Sequence, residues 1–439
     1  MTLHRNYLCW PVNPKRRSFR IYVVEPESYA PEKHVAIFNA AMNRLVRSPI
    51  SELTGQNPYA AAPNLDPFDL VTFPEAFLAS EDLVTALRWI SYLPSCGCVH
   101  VGLRPTSTSK QHLFTLCEAK TLIEKLLEIP IIEKADLSVF HDWIHKQGAD
   151  GQFNIGCLFM RDPSGKLRVC LHPKVVRSKY EIGMLQEQNM AEADMLTLVS
   201  LIPQDRRFFS LTIQPLLCSD AINGQTDRPN ARPLYAVNID SGDGSDGWVP
   251  DHIDVVSLAT CTPHPEYGEP ASTYSQWHPA FQETFCRAAW EDDLLKHHHA
   301  VFVFSNFRIA HKDRPGGLSG AFIPVPFSSE RSNVPSYLTV SVWGHPKEKK
   351  LPDEWSKPNE PLTSNVPWHN YGHIASLRVC RYEASGLVTG FGLTTQASET
   401  SLDSIRYSSK RSSSVNSPRL MTATILEATA RRSGAGRKW

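Results

Sequence analysis

Three polar residues stand at the ends of apolar segments, and together their side chains can do nucleophilic chemistry. Glu75 follows LVTFP, Lys174 follows LRVCLHP and Cys218 follows LTIQPLL. In α/β proteins, active sites form where the strands of the sheet end. A lysine ammonium beside a thiol favours the thiolate nucleophile. A carboxylate can take the thiol proton, return it to a leaving amine and then activate water.

The same three residues offer a site for the negative charge that develops during acyl transfer. We expect Lys174 and the backbone N–H after Cys218 to stabilise the oxyanion of a tetrahedral intermediate. Taken alone, this set is a modest signal, because any Cys, Lys and Glu at strand ends would satisfy it. The chemistry therefore depends on which helices and strands position the three residues.

Strands and helices alternate along the chain. Apolar runs predict strands, and helical spacing of apolar residues predicts helices. The strands are expected at 19–25, 68–80, 97–105, 208–220, 253–261, 300–307, 336–344 and 372–383, the second of them ending at Pro74 and Glu75, and the helices at 34–48, 81–93, 112–129 and 278–298. A hairpin at 153–161 and 166–174 is joined by the turn sequence DPSG and ends at Lys174. This alternation predicts an α/β fold with a largely buried sheet.

The three segments also resemble a known family. FPEAF (73–77), the hairpin running into HPK (172–174) and LLCSD (216–220) resemble, in the same order, the three catalytic motifs of the carbon–nitrogen hydrolase, or nitrilase, superfamily. Asn154, Gly156 and Gly165 fall where such a hairpin has an asparagine and glycines. Weaker similarities follow at 253–263, 286–306 and 316–324, so the resemblance covers roughly residues 19 to 385.

The resemblance implies a role for each motif residue. Cys218 would be the nucleophile, Glu75 the general base and Lys174 the oxyanion stabiliser. A second glutamate often follows the lysine in such families, and Glu181 is the nearest candidate. The implied fold is a four-layer α-β-β-α sandwich, frequently a homodimer. The implied activity is hydrolysis of a non-peptide carbon–nitrogen bond, in a small-molecule amide or nitrile, through a cysteine acyl-enzyme.

The chain is longer than the family pattern requires. We expect a lead-in at 1–17, a hydrolase-like domain at 18–395 and a basic, Ser-rich disordered tail at 396–439. Within the domain, about 221–252 and 327–370 read as long loop insertions. These insertions would lie near the site or a subunit interface, so the family's substrate class cannot be transferred.

Two other functions use the same sequence features. A nitrilase-like binding or regulatory module would recruit a partner through the insertions and the tail, as such modules do in some bacterial defence proteins. The complete Glu, Lys and Cys set favours an enzyme over such a scaffold. Transfer of the acyl group to an amine instead of water needs the same three residues, and only the products distinguish it from hydrolysis.

Composition excludes several other classes. Lys plus Arg and Asp plus Glu are both 45 in 439 residues, which argues against a dedicated nucleic-acid binder. The basic tail at 396–439 could still contact nucleic acid or a protein partner, although no motif in it supports such a contact. No apolar run reaches the length of a membrane span, and we expect no secretory signal. Ten scattered cysteines without a CxxC pair indicate a reduced, cytoplasmic protein without a zinc site. No nucleotide-binding fingerprint is present, and we expect no cofactor.

Overall fold

The fold is mixed α/β, with several sheets and few helices among the residues that the structure describes. The structure is a computed structural model. It describes residues 4–12, 19–26, 29–46, 70–91, 97–108, 112–177, 190–204, 210–221, 233–239, 250, 252–261, 296–297, 300–307, 319–325, 336–341, 374–383, 386–398 and 401–408.

The elements are numbered in chain order. The strands are β1 (His4–Val12), β2 (Phe19–Glu25), β3 (Leu70–Thr72), β4 (Leu78–Ala79), β5 (Cys98–Arg104), β6 (Phe114–Thr115), β7 (Gln152–Phe153), β8 (Ile155–Arg161), β9 (Leu167–Pro173), β10 (Met195–Pro203), β11 (Leu211–Leu217), β12 (Val255–Ala259), β13 (Val301–Ser305), β14 (Gly320–Val325), β15 (Ser336–Ser341), β16 (Ile374–Glu383), β17 (Gly386–Ser398) and β18 (Ser401–Ser408). The helices are α1 (Pro31–Val46), α2 (Ser80–Ile90), α3 (Leu116–Leu127), α4 (Ala135–His145) and α5 (Pro233–Ile239), and a 3₁₀ turn spans Cys218–Ala221.

Two large sheets carry the strand ends of interest. The first sheet has the order β1-β10-β11-β12-β13-β14-β15. The second has the order β18-β17-β16-β2-β3-β5-β8-β9, with β4 paired to β5. Strands β11, β12 and β13 are parallel, and so are β2, β3 and β5. Each group therefore brings its carboxyl ends to one edge of its sheet, where sites form in α/β proteins. Strand β9 joins that edge, because it follows β5 through two antiparallel pairings.

Buried hydroxyl groups join the two sheets. Thr72 on β3 hydrogen-bonds Ser257 on β12 over 2.7 Å, and the same serine hydroxyl hydrogen-bonds Nδ1 of His100 on β5 over 2.8 Å. Further along, the hydroxyl of Ser305 on β13 donates to the carbonyl of Val24 on β2. These contacts align the carboxyl ends of β11 to β13 with those of β2, β3 and β5.

Helices cover the second sheet with apolar side chains. Helix α3 buries four residues at the spacing of one helical face, and its N-terminus is closed by a capping box between Thr115 and Glu118. The buried residues of α3 are Ala119, Leu122, Ile123 and Leu126, and they join a core that includes Val99, Val101, Leu103 and Phe159 of the sheet. Full burial of one leucine or isoleucine side chain stabilises the fold by about 1.5–3 kcal/mol.

Most predicted elements are confirmed. The hairpin forms β8 and β9, with Gly165 at φ +89 in its turn and Asp162 accepting from the backbone N–H of Ser164 and Lys166. Predicted helices at 34–48, 81–93 and 112–129 correspond to α1, α2 and α3. The strand expected in 68–80 is β3, and the chain turns at Glu75 and Ala76, where that strand was expected to end; the short strand β4 after the turn was not predicted. The predicted helix at 278–298 lies almost wholly outside the described residues.

Three segments differ from the expectation. Helix α4 was not predicted, although its buried residues Leu137, Phe140 and Ile144 have helical spacing. Residues 4–12, expected to be a polar lead-in, form strand β1 in parallel register with β10. Residues 401–408, expected to lie in a disordered tail, form β18 against β17. Both strands form through backbone hydrogen bonds to a neighbour, which composition does not reveal.

Other expectations stay predictions. The domain boundaries and the full four-layer arrangement are not established by the described residues. The insertion at about 221–252 includes helix α5, and the strand predicted at 336–344, within the insertion at 327–370, is β15. Within the part of the chain that the structure describes, no helix is long and apolar enough to cross a membrane.

Candidate active site

Glu75 lies in a tight turn after β3. Its neighbour Ala76 has φ +50, a left-handed conformation that a non-glycine residue seldom adopts. Gly102 on β5 packs directly against this turn and accepts a hydrogen bond from the Phe77 N–H over 2.9 Å. A Cβ atom on Gly102 would lie 2.4 Å from the Cα of Glu75. Only glycine at position 102 therefore allows the turn to approach β5 this closely.

A buried aromatic cluster holds the other side of this turn. The ring of Phe77 stacks on His34 with centroids 4.7 Å apart, and the Phe77 carbonyl hydrogen-bonds Nδ1 of that histidine over 2.8 Å. Phe307, which follows β13, also stacks on His34 at 5.3 Å. The guanidinium of Arg104, fully buried, donates to the carbonyl of Pro31 over 2.9 Å. The turn that presents Glu75 is thus fixed on two sides.

Lys174 reaches the glutamate from the end of β9. Its ammonium donates to Oε1 of Glu75 over 2.8 Å, and the Asn154 side chain donates to the same oxygen over 2.7 Å. The backbone N–H of Lys174 donates to the Asn154 carbonyl over 2.8 Å. The three side chains are only 3%, 1% and 1% exposed for Glu75, Lys174 and Asn154. A buried ion pair of this kind needs its hydrogen bonds to offset the loss of hydration.

The first sheet also contacts the glutamate. The backbone N–H of Cys261, just after β12, donates to Oε2 of Glu75 over 3.2 Å. The Glu75 N–H in turn donates to the carbonyl of Thr260 over 3.2 Å. Both oxygens of the carboxylate are therefore held, one by side chains of the second sheet and the other by backbone of the first.

Cys218 follows β11 and begins the 3₁₀ turn. It is buried, and its φ of +45 is left-handed, which costs a non-glycine residue about 1–3 kcal/mol. Such backbone strain persists only where the surroundings hold it, and it is concentrated at active sites. The conformation directs the chain sharply away from β11 immediately after the strand ends.

Ser219 and Asp220 tie the Cys218 turn to the residues after Lys174. One oxygen of Asp220 accepts from the backbone N–H of Val175 and of Val176, each over 2.8 Å, and the other accepts from Leu217 N–H over 3.1 Å. The Ser219 hydroxyl donates to the Val176 carbonyl. Cys218 comes from the first sheet and Lys174 from the second, so these bonds bring the two segments side by side.

The carboxyl group of Asp220 has a pKa above the ordinary value of an aspartate. Burial raises its pKa from 3.8 to about 7, although the Lys174 charge and the three backbone N–H donors act to lower it. The turn that carries Cys218 is therefore held by a group whose charge changes near neutral pH.

Two buried histidines lie in the same sheet as Glu75 and Lys174. Nε2 of His100 is 3.2 Å from Nε2 of His172, so one ring donates and the other accepts. Burial lowers the pKa of His172 to about 3, and burial together with His172 lowers the pKa of His100 well below 6.5. Both rings are therefore neutral at neutral pH. A Cβ on Gly156 would lie 2.3 Å from the His172 ring, so this glycine makes room for the pair.

The structure brings some of the predicted site residues together. It places Glu75 in direct contact with Lys174 and ties the Cys218 turn to the residues after that lysine. Glu181 lies outside the described residues, and its role stays a prediction. Sequence reasoning noted Asn154 and the aspartate two residues after the cysteine as motif positions, but gave neither a contact. The backbone of Cys261 was missed, because no side-chain pattern reveals a backbone donor.

The described residues form no metal-binding cluster. Among them, no three His, Cys, Asp or Glu side chains converge in a way that could hold a metal ion. Seven of the described cysteines are thiols rather than halves of a disulfide, namely Cys9, Cys98, Cys117, Cys157, Cys170, Cys218 and Cys261.

Comparison with known proteins adds a distant structural likeness. No protein-family model matches the chain, and no curated protein matches it. Among solved structures, it is similar to an N-terminal amidase with an Asn-Glu-Ala peptide, at 10% identity and a TM-score of 0.29 over 70% of this chain and 90% of that one. It is also similar to a cysteine-to-serine variant of N-terminal amidase, at 9% identity and a TM-score of 0.30 over 70% and 89% of the two chains. At these values the likeness supports no conclusion about the site.

Proposed function

We propose that this protein is a thiol hydrolase that cleaves a carbon–nitrogen bond, in an amide or a nitrile, with Cys218 as nucleophile, Glu75 as general base and Lys174 as oxyanion stabiliser. The observation that carries the proposal is the buried contact between Lys174 and Glu75, which lies beside the strained Cys218 turn. Apolar residues of similar volume stabilise a fold as well as a buried ion pair does. A carboxylate, an ammonium and a thiol are the groups that acyl transfer requires.

The reaction would proceed in two halves. Cys218 sulfur attacks the amide carbon while Glu75 accepts the thiol proton, and Lys174 and the Ser219 N–H stabilise the oxyanion. The carbon–nitrogen bond then breaks as Glu75 protonates the departing amine, which leaves a thioester. Water attacks the thioester while Glu75 takes its proton. The carbon–sulfur bond breaks, the acid departs and the thiol regains its proton. A nitrile would enter through a thioimidate instead.

Other properties belong to the same proposal. We propose that the protein is a cytoplasmic homo-oligomer. The chemistry needs no cofactor, because the nucleophile, the base and the oxyanion donors all come from the chain. Amides are preferred over nitriles because they are the broader class of the resembling family. Light scattering on the purified chain tests the oligomeric state.

The first test is alkylation of the native protein by iodoacetamide between pH 5 and pH 9, read for each cysteine by mass spectrometry. We expect Cys218 to react below neutral pH faster than the exposed thiols of Cys9 and Cys117. Cys157 and Cys170 serve as internal negative controls, because burial raises the pKa of both thiols well above 9.0. Replacing Lys174 with Met, of similar volume, should slow the reaction at Cys218 alone.

Substrates are then screened as panels of amides and nitriles. Cys218→Ala should abolish turnover, whereas Cys117→Ala should leave it unchanged, since that exposed residue lies on α3. Adding hydroxylamine separates the two acyl acceptors: a hydroxamate in place of the acid indicates acyl transfer to amines. If Cys218 labels no faster than the other cysteines and no panel member is cleaved, the hydrolase proposal fails. Partner capture with the full chain then tests the binding module.

A further inference from the structure

The two oxygens of the Glu75 carboxylate are held differently. Oε1 accepts from Lys174 Nζ over 2.8 Å and from Asn154 Nδ2 over 2.7 Å. Oε2 accepts from the Cys261 N–H over the longer distance of 3.2 Å. Each oxygen of an ionised carboxylate offers about two acceptor sites. The two side-chain donors therefore fill Oε1, and a proton could bind there only if one of these bonds broke.

We infer that Asn154 is a positioning residue that fixes the Glu75 carboxylate so that Oε2 carries the proton in each transfer; this inference rests on the proposed hydrolase function. The amide nitrogen of Asn154 can only donate, so it holds Oε1 through every step. Lys174 must share its donors with the oxyanion. The asparagine is thus the donor that keeps the glutamate in one orientation throughout the cycle.

The burial of Asn154 supports a task beyond packing. Its side-chain oxygen has no hydrogen-bond partner among the described residues, although the residue is 1% exposed. A buried polar atom without a partner lowers stability, so an apolar residue would serve the core better. The contact with Glu75 is the compensation that the structure shows.

Asn6 on β1 provides a matched control. It is equally buried, and its side-chain oxygen also has no hydrogen-bond partner in the described part of the chain. Its amide donates to the carbonyl of Leu171 over 3.4 Å, a contact that involves neither Glu75 nor Lys174. Asn6→Ala and Asn154→Ala therefore delete the same group from two buried positions, only one of which touches the glutamate.

The test compares the pH profiles of kcat and kcat/KM in the full-length parent, Asn154→Ala, Asn154→Asp and Asn6→Ala. For Asn154→Ala we expect a fall in kcat of about tenfold or more at neutral pH, with KM changed less than twofold. The acidic limb of both pH profiles should move up by about one pH unit, because the ionised Glu75 carboxylate has lost a hydrogen-bond donor. Asn154→Asp should move this limb further, because the new aspartate adds a like charge beside Glu75. An unchanged limb in Asn154→Ala, or an equal shift in Asn6→Ala, overturns the inference.

A second readout does not need turnover. Glutamate labelled with ¹³C at the side-chain carboxyl is titrated by NMR, and Glu75→Gln identifies the Glu75 signal. A titration that moves in Asn154→Ala but not in Asn6→Ala supports Asn154 as the residue that holds the Glu75 carboxylate. If no variant turns over any substrate, the hydrolase proposal falls, and the proton-transfer part of the inference falls with it. If the protein turns over substrate but the Glu75 titration is the same in the parent and in Asn154→Ala, the inference about Asn154 is wrong. The hydrolase proposal is then still supported.

Discussion

Lys174 and Glu75 are 99 positions apart in the chain, yet the lysine ammonium donates to the glutamate carboxylate over 2.8 Å in the interior of the protein. Both residues follow strands of the second sheet, β9 and β3, whose carboxyl ends lie at the same edge. Cys218 approaches from the first sheet. The candidate site is thus built across the two sheets.

Removing the charge of Glu75 should lower both activity and stability, each for a different reason. Glu75→Gln deletes the proposed general base, so we expect kcat to fall about 100- to 10,000-fold. It also leaves the Lys174 ammonium buried without its counter-charge, which should lower the free energy of unfolding by about 3–5 kcal/mol. Thermal denaturation and turnover assays measure the two effects.

The double variant Glu75→Gln with Lys174→Met is the control for this prediction. It removes both charges and keeps the side-chain volumes similar. We expect stability to recover most of the loss while activity stays absent. A double variant as unstable as the single one would show that the pair does not act through its charges.

Space at Gly102 should be essential for the Glu75 turn. A Cβ there would lie 2.4 Å from the Glu75 Cα and 2.6 Å from the Ala76 nitrogen, so Gly102→Ala must displace the backbone that carries the base. We expect lower stability and at least a 100-fold loss of kcat/KM, since small misplacements of catalytic groups have effects of about that size. Gly148→Ala is the control, because a Cβ at Gly148 would meet no atom within 4 Å. Equal activity of the two variants would contradict this account.

The buried histidine pair should make the fold sensitive to acid. Folding holds the pKa of His172 at about 3, below its usual 6.5, so the unfolded chain binds more protons between these values. The stability that this histidine contributes is present above pH 6.5 and is lost as the pH falls towards 3, by about 2 kcal/mol at pH 5. Urea denaturation at pH 7.5 and pH 5 should therefore show a smaller difference in His172→Asn than in the parent. The exposed His141, replaced in the same way, should leave the difference unchanged.

Asp220 should make the stability of the fold depend on pH in the direction opposite to that of His172. Its folded-state pKa of about 7 lies above the usual 3.8, so the folded state binds more protons between these values. The stability linked to this proton is fully present below pH 3.8 and is lost as the pH rises through about 7. Asp220→Asn should remove this part of the pH dependence, which denaturation at pH 5 and pH 8 measures.

The same variant should also slow alkylation of Cys218. An asparagine cannot accept from the N–H groups of Val175, Val176 and Leu217 with both side-chain atoms, so the turn loses part of its anchor. Asp162→Ala is the control, since Oδ1 of Asp162 accepts backbone N–H bonds from Ser164 and Lys166 in another turn, and alanine removes that acceptor. That variant should lose stability but leave the Cys218 rate unchanged. A slowed Cys218 in both variants would point to general destabilisation instead.

Local sequence predicted the parts of the site that local physics controls. Turn residues at Asp162 to Gly165, between two apolar runs, determine the hairpin that leads into Lys174. Apolar spacing likewise predicted α1, α2 and α3. Local patterns did not predict β1 or β18, because an edge strand forms through backbone hydrogen bonds to a partner that the chain reaches only after folding.

The sequence by itself determined which residue types stand after which strands: Glu75, Lys174 and Cys218 each follow an apolar run. Only the tertiary structure decided that Asn154 and Lys174 meet at one oxygen of Glu75, and that Asp220 holds the Cys218 turn against Val175 and Val176. The physical reason is that these bonds join strands far apart in the chain, and some of them join two different sheets. Their geometry depends on how the sheets pack, through contacts such as Thr72 with Ser257, and no local pattern encodes that packing.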